Sequence, residues 1–177
     1  MSRQHYYTGV GSRTTPVNVM VTMTHTALLL RKRFYKLRSG GAEGADSAFE
    51  AGANGLMEIF LPYKRFNGRI ANNDQYINVS VQPDFFKALA IAEDIHPAWN
   101  ACNDAARKLH ARNCMQVLGR DLQTPSDFLI CWTPDGREMG GTRTAIVLAE
   151  RNNIPVYNLF DPQWAGLNAD ELVKRLT

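Results

Sequence analysis

The sequence predicts one α/β domain of the Rossmann-like, doubly wound kind: a mostly parallel sheet of about five strands with helices on both faces. Three observations predict it. Short apolar runs alternate with stretches of helical period, the pattern of βα units joined by right-handed crossovers. Residues 128–132, Phe-Leu-Ile-Cys-Trp, are apolar throughout, as a central strand covered on both faces must be. Three of the strands run directly into glycine-rich turns that open helices, a construction that brings backbone close to a ligand and points free N–H groups at it.

The first strand, residues 6–10, stops at Gly11-Ser12-Arg13-Thr14-Thr15-Pro16, a cluster suited to opening a helix. That helix, residues 17–33, carries Val17, Met20, Val21, Thr24, Ala27, Leu28 and Leu30 near helical period and ends in Arg31, Lys32 and Arg33, cations that suit a helix C-terminus. Residues 34–38 form the second strand. The turn that follows, residues 39–46, has three glycines in five positions (Gly40, Gly41, Gly44) and leads into a helix over 47–54. Residues 58–62 are a third strand closed by Pro62.

Residues 63–82 are polar and lack a period, so they read as a long surface loop, either a lid over a ligand or a tolerated insertion. Pro83 starts a helix through Asp94 with Phe85 and Phe86 assigned to the core, and Pro97 starts another through Arg112; residues 63–112 together form a loop and helical insertion within the single domain. The fourth strand, 128–132, feeds the third glycine turn, 133–144. A helix over 145–152, a last strand over 154–158 and a short helix over 169–176 complete the chain.

Composition sets limits on function. The 177 residues are 45% hydrophobic and 21% charged, enough for one full core and unlike a disordered chain. A net charge of +3 fits an anionic small ligand and falls well short of a strongly basic nucleic-acid binder. Cys102, Cys114 and Cys131 have no C-x-x-C spacing, so neither a disulfide framework nor a zinc cluster is expected, and a reducing cytoplasm fits. His5, His25, His96 and His110 show no H-x-x-x-H or H-E-x-x-H pattern, so no metal and no cofactor are expected. The N-terminal residues are polar and the apolar runs are short, so no membrane partner is expected.

In a parallel sheet the loops leaving strands one, two and four emerge at one carboxyl edge, where doubly wound folds bind ligands. The expected binding residues are therefore Gly11, Ser12, Arg13, Ser39, Gly40, Gly41, Gly44, Asp46, Gly140, Gly141, Thr142, Arg143 and Thr144. Glycines and helix N-termini would supply N–H donors for phosphate, the hydroxyls further bonds, and Arg13 or Arg143 a bidentate fork. Glu43, Asp46, Asp135 and Glu138 are the acids that can hold ribose hydroxyls or act as a base. Asp46 also has a ligand-free role, because an acid in a first helical turn stabilises that helix. Trp132 reads either as a base-stacking platform or as a packed strand end.

These blocks resemble the superfamily that unites the DNA-processing protein A Rossmann fold with the "lonely guy" phosphoribohydrolases, the SLOG domains, and small phage and prophage members among them. Residues 10–16 with 39–48 are similar to the DNA-processing G-S-R turn and its serine-glycine, alanine, glycine, aspartate loop. Arg112-Asn-Cys-Met115, residues 126–130 and 140–145 resemble the R-x-x-M, S-D-x-F-I and P-G-G-x-G-T blocks of the hydrolases. The resemblance implies a nucleotide or phosphorylated-ribose ligand, with cleavage of an N-glycosidic bond in which Arg112 matches the hydrolase arginine. It also implies a homodimer. The hydrolase glutamate has no counterpart here, since Ala145 and Ile146 follow Thr144; Glu43 or Glu138 would then be the catalytic acid. The alternative is a non-catalytic binder of single-stranded DNA or of a signal nucleotide, with nucleic acid the less favoured partner.

Overall fold

The computed structural model of the protein describes residues 3–137 and 140–177. In chain order its strands are β1 (His5–Gly9), β2 (Tyr35–Ser39), β3 (Met57–Leu61), β4 (Arg65–Phe66), β5 (Arg69–Ile70), β6 (Tyr76–Asn78), β7 (Phe128–Cys131) and β8 (Val156–Asn158). The helices are α1 (Val17–Lys32), α2 (Ala45–Ala53), α3 (Phe85–Ile95), α4 (Asp104–Leu118), α5 (Gly140–Arg151), α6 (Pro162–Ala165) and α7 (Ala169–Leu176). Among the described residues six strands make one all-parallel sheet in the order β6-β3-β2-β1-β7-β8.

Alternation along each strand divides the core into two layers. Tyr7, Leu37, Ile59 and Ile130 pack with Met23, Ala27 and Leu30 of α1, Phe49 of α2 and Leu172 of α7. Phe60, Ile77, Leu129 and Cys131 pack on the other face with Ala88 of α3, Met115 of α4 and Ile146 of α5. Because both faces of β7 are covered, its residues are all buried, which is why the sequence shows an apolar run there instead of an alternation. The buried stripe of α1 is Met23, Thr26, Ala27 and Leu30, while Val17 and Val21 are exposed. Helices α1 and α2 approach so closely that a Cβ at Gly52 would stand 2.0 Å from the Thr24 carbonyl oxygen.

The segment 63–82 departs from the loop expectation. Its residues 76–78 form β6, the sixth strand, paired to β3 through Ile59↔Tyr76 and Leu61↔Asn78. Residues 65–70 form a hairpin, β4–β5, around Asn67 and Gly68 at φ 47° and 75°, the two-residue turn that an Asn-Gly pair favours. The second expected helix also shifts: residues 99–101 make a short 3₁₀ turn, and α4 begins after Asn103, whose side chain accepts the Ala106 amide at 2.9 Å. Arg112 therefore lies within α4, not at its end. Among the described residues no helix is long and apolar enough to cross a membrane.

Candidate functional site

Strand order reverses at β1: the chain runs outward through β2, β3 and β6, then returns to the other side of β1 as β7 and β8. The loop after β1 leads to α1 on one face and the loop after β7 leads to α5 on the other, so they part at the carboxyl edge and leave a crevice. A cavity of about 560 Å³ occupies it, within the range of small-molecule sites. Gly11, Ser12 and Arg13 form one wall, and Gly140, Gly141 and Thr142 at the start of α5 form the opposite one. The α5 N-terminus thus offers its first-turn N–H groups and partial positive charge to the crevice.

The floor is α4, and its polar residues there are buried: His110, Arg112, Asn113 and Gln116 are all at most 9% exposed. Arg112 spans the crevice base. Its NH1 donates to the Gly40 carbonyl at 2.8 Å, and its Nε and NH2 donate to Asn113 Oδ1 at 3.2 and 3.0 Å. Burial pulls its pKa down, against the opposing pull of Asp46 and Tyr63. Three of its five N–H donors are spent within the chain, leaving two. Asn113 Nδ2 in turn donates to the Gly141 carbonyl at 2.8 Å, fixing the start of α5 to the floor. Gln116 lines the crevice at 1% exposure, and its Nε2 has no hydrogen-bond partner among the described residues.

Asp46 turns back onto its own loop, accepting the Gly40 and Ala42 amides at 3.2 and 3.3 Å. Burial pushes its carboxyl up, opposed first by Arg112 and then by those amides. His110 shares a hydrogen bond of 2.9 Å with Thr144 Oγ1. Burial first, then the neighbouring His96 and Arg112, push it down to about 4, so the imidazole is neutral at pH 7.

Of the residues expected from sequence, Gly11, Ser12, Arg13, Asp46, Arg112, Gly140, Gly141 and Thr142 meet in this crevice. Others serve the scaffold beneath it. The Ser39 hydroxyl is buried and donates to the Gly9 carbonyl at 2.6 Å, and Thr144 is buried against His110. Gly40 is enclosed: a Cβ there would stand 2.0 Å from Gln116 Nε2 and 2.9 Å from both the Arg112 Cζ and Asp46 Oδ2. Gly41 and Gly44 hold positive φ in the β2 turn, at 67° and 78°, and the Gly44 backbone packs on Ser12 and Arg13. Two expected side chains lie elsewhere. Arg143 reaches the Ile95 carbonyl at 3.1 Å at the end of α3. Glu43 is exposed and borders a separate groove between α1 and α2 with Val17 and Val21, because the β2 turn carries it away from α4. Glu138 is outside the described residues.

Sequence reasoning missed Phe66, His110, Asn113 and Gln116, all of which line the crevice. Gln116 stands four residues after Arg112, on the same helical face; that spacing was the available signal. Trp132 does not line the crevice; its ring packs edge-on to Phe160 with centroids 6.2 Å apart. His96, Cys102 and His110, unrelated by spacing, are brought within 4.8 Å of one another.

No family model matches the chain, and no curated protein sequence matches it significantly. Solved structures do. DNA processing protein A from Helicobacter pylori aligns over 98% of this chain and 80% of its own, with a TM-score of 0.60 and 16% identity. The molybdenum cofactor carrier protein from Chlamydomonas reinhardtii aligns over 98% of both chains in two structures, with TM-scores of 0.54 and 0.55 and 17% identity. These likenesses show that the chain has the Rossmann-like fold of those two proteins.

Proposed function

We propose that this protein is of the SLOG type and binds, without cleaving it, a nucleotide or related phosphorylated small molecule in the carboxyl-edge crevice. One observation carries the reading: the crevice is lined by donors and cations, and its single carboxylate among the described lining residues, Asp46, is engaged by loop amides. Phosphate fits the first turn of α5 between Thr142 and Arg13. The two remaining Arg112 donors suit ribose or base oxygens, and Phe66, its ring centroid 5.6 Å from the Arg112 guanidinium carbon, lines the same crevice. Cleavage of an N-glycosidic bond needs an acid or base within reach of the scissile bond. Glu43 stands in another groove and Asp46 is held by loop amides, which disfavours a hydrolase acting through either of them. The structural neighbours accord with binding, since one binds single-stranded DNA and the other is a cofactor carrier.

A single-strand DNA binder is the second reading, favoured by the first of those neighbours and disfavoured by the modest net charge of +3. A thermal-shift screen with nucleoside mono-, di- and cyclic phosphates and short oligonucleotides separates the readings, because a ligand selective for the native state raises Tm by mass action. The expected result is stabilisation by a mononucleotide that chromatography recovers intact. Recovery as free base plus ribose phosphate would establish hydrolysis; stabilisation by oligonucleotides alone would establish the DNA mode.

A further inference from the structure

Beside the crevice, three separate pieces of chain bring together two imidazoles and a thiol. His96 caps the C-terminus of α3, Cys102 follows the 3₁₀ turn, and His110 lies in α4. Cys102 Sγ is 3.8 and 3.7 Å from the two ring nitrogens of His96, and the two histidine rings have centroids 4.4 Å apart. One donor atom from each residue lies within 4.8 Å of the others. A tetrahedral ion with metal–nitrogen bonds of about 2.0 Å and a metal–sulfur bond of about 2.3 Å sets its donors about 3.3–3.6 Å apart. The Cys102–His96 separation of 3.7 Å is near that spacing, and the whole set, within 4.8 Å, has to draw in by at most about one ångström to ligate.

Two features of the surroundings favour ligation and one opposes it. Thr144 Oγ1 lies 2.9 Å from His110 Nδ1; with the hydroxyl oxygen accepting from Nδ1–H, Nε2 is left to ligate and the ring is oriented as behind a metal-bound histidine. The Trp99 ring covers the cluster, its centroid 6.2 Å from that of His96 and 6.3 Å from that of His110. His96 Nδ1 accepts the Ala98 amide at 3.1 Å, a bond that ligation would exchange for the metal.

We propose that His96, Cys102 and His110 form a three-donor site for a divalent transition-metal ion of the zinc class. Two imidazoles and a thiolate are a donor set for such an ion, and three protein donors leave a fourth position for water or another ligand. Binding converts the Cys102 thiol to thiolate and releases its proton to solvent. The competing account is ring packing around a half-buried thiol, with no ion held. The site shares His110 with the crevice lining, and its donor set does not rest on the identity of the crevice ligand.

The test is a Co²⁺ titration of the full chain after chelator treatment, with Zn²⁺ as competitor. The expected result is saturation at one Co²⁺ per chain, with a thiolate-to-cobalt charge-transfer band that Zn²⁺ abolishes. Zn²⁺ also slows alkylation of Cys102 at least about tenfold, while Cys114 and Cys131 are buried and stay unlabelled. Cys102→Ser removes the charge-transfer band. Thr144→Val weakens Co²⁺ binding about tenfold, the usual effect of losing an outer-shell partner. Cys102 sits half-buried in a turn, so Cys102→Ser folds, as an unchanged Tm in chelator verifies. No charge-transfer band, equal Co²⁺ affinity in Cys102→Ser, or an alkylation rate indifferent to Zn²⁺ would each overturn the site.

Discussion

Gly40 is held through the peptides on both its sides by opposite charges: Arg112 donates to its carbonyl and Asp46 accepts from its amide. Arg112→Met is therefore expected to do more than delete one bond. It leaves the buried Gly40 carbonyl and Asn113 Oδ1 without their donor and removes the cation that offsets buried Asp46, and unsatisfied buried polar groups cost about 1–3 kcal/mol each; urea denaturation measures it. Arg112→Lys restores little, since an ammonium lacks the fork that joins Gly40 to Asn113. His110 gives a pH signature in the chelator-treated protein. Its folded pKa is pushed down to about 4 from 6.5, so between those values the unfolded chain binds a proton that the native one does not. Stability is then complete above pH 6.5 and lost as pH falls toward 4. The loss relative to His110→Gln is about 1–3 kcal/mol, below the full shift at 1.36 kcal/mol per unit because the ring borders an open crevice. A pH profile of the same shape in His110→Gln would refute it. At this scale Arg112 was legible through its R-x-x-M block, but its bonds to Gly40 and Asn113 were not, because no spacing tells which loop α4 crosses.

Helix α4 and the β4–β5 hairpin are the elements in which sequence and structure differ most. Nine consecutive residues of α4, His110 to Leu118, are buried, although a helix buried all round is ordinarily apolar. The polar ones are buried beneath a crevice they serve, so the periodicity that marks a core helix is absent there. The hairpin was hidden in a polar segment with only two residues per strand, yet its Asn67-Gly68 turn was a readable signal. It is no free lid. Arg69 pairs with Glu50 at 2.7 Å, Tyr76 donates to Glu50 Oε1 at 2.8 Å, and Asn67 donates to the Gly41 carbonyl at 3.0 Å. Glu50 on α2 is thus the post to which both the hairpin and β6 are tied. Glu50→Ala is expected to cost about 1–3 kcal/mol, by leaving partly buried donors unpaired, and to speed amide exchange in residues 64–76. Exchange faster there and unchanged in α4 is the pattern to look for; uniform acceleration would mean that Glu50 supports the whole fold.

For the molecule as a whole, alternation of apolar runs and helical period was enough to give a parallel sheet, and with it the edge at which loops converge. The sixth strand escaped because three residues on an outer edge, Tyr76, Ile77 and Asn78, carry too little pattern. His110, Asn113 and Gln116 escaped because they come from a helix inserted between the third and fourth predicted strands. The described cations lining the crevice are Arg13 and Arg112, against the carboxylate of Asp46, and the net charge is only +3. Few phosphates can be neutralised by such a surface, so binding should depend weakly on salt. For one or two phosphate contacts, at a slope of about −0.7 per contact, affinity falls less than about tenfold between 50 and 200 mM salt. Calorimetry on a stabilising mononucleotide across that range measures the slope directly. A loss of about a thousandfold would require about seven or more phosphates and hence a strand running past the crevice, which would transfer the site from a small ligand to single-stranded DNA.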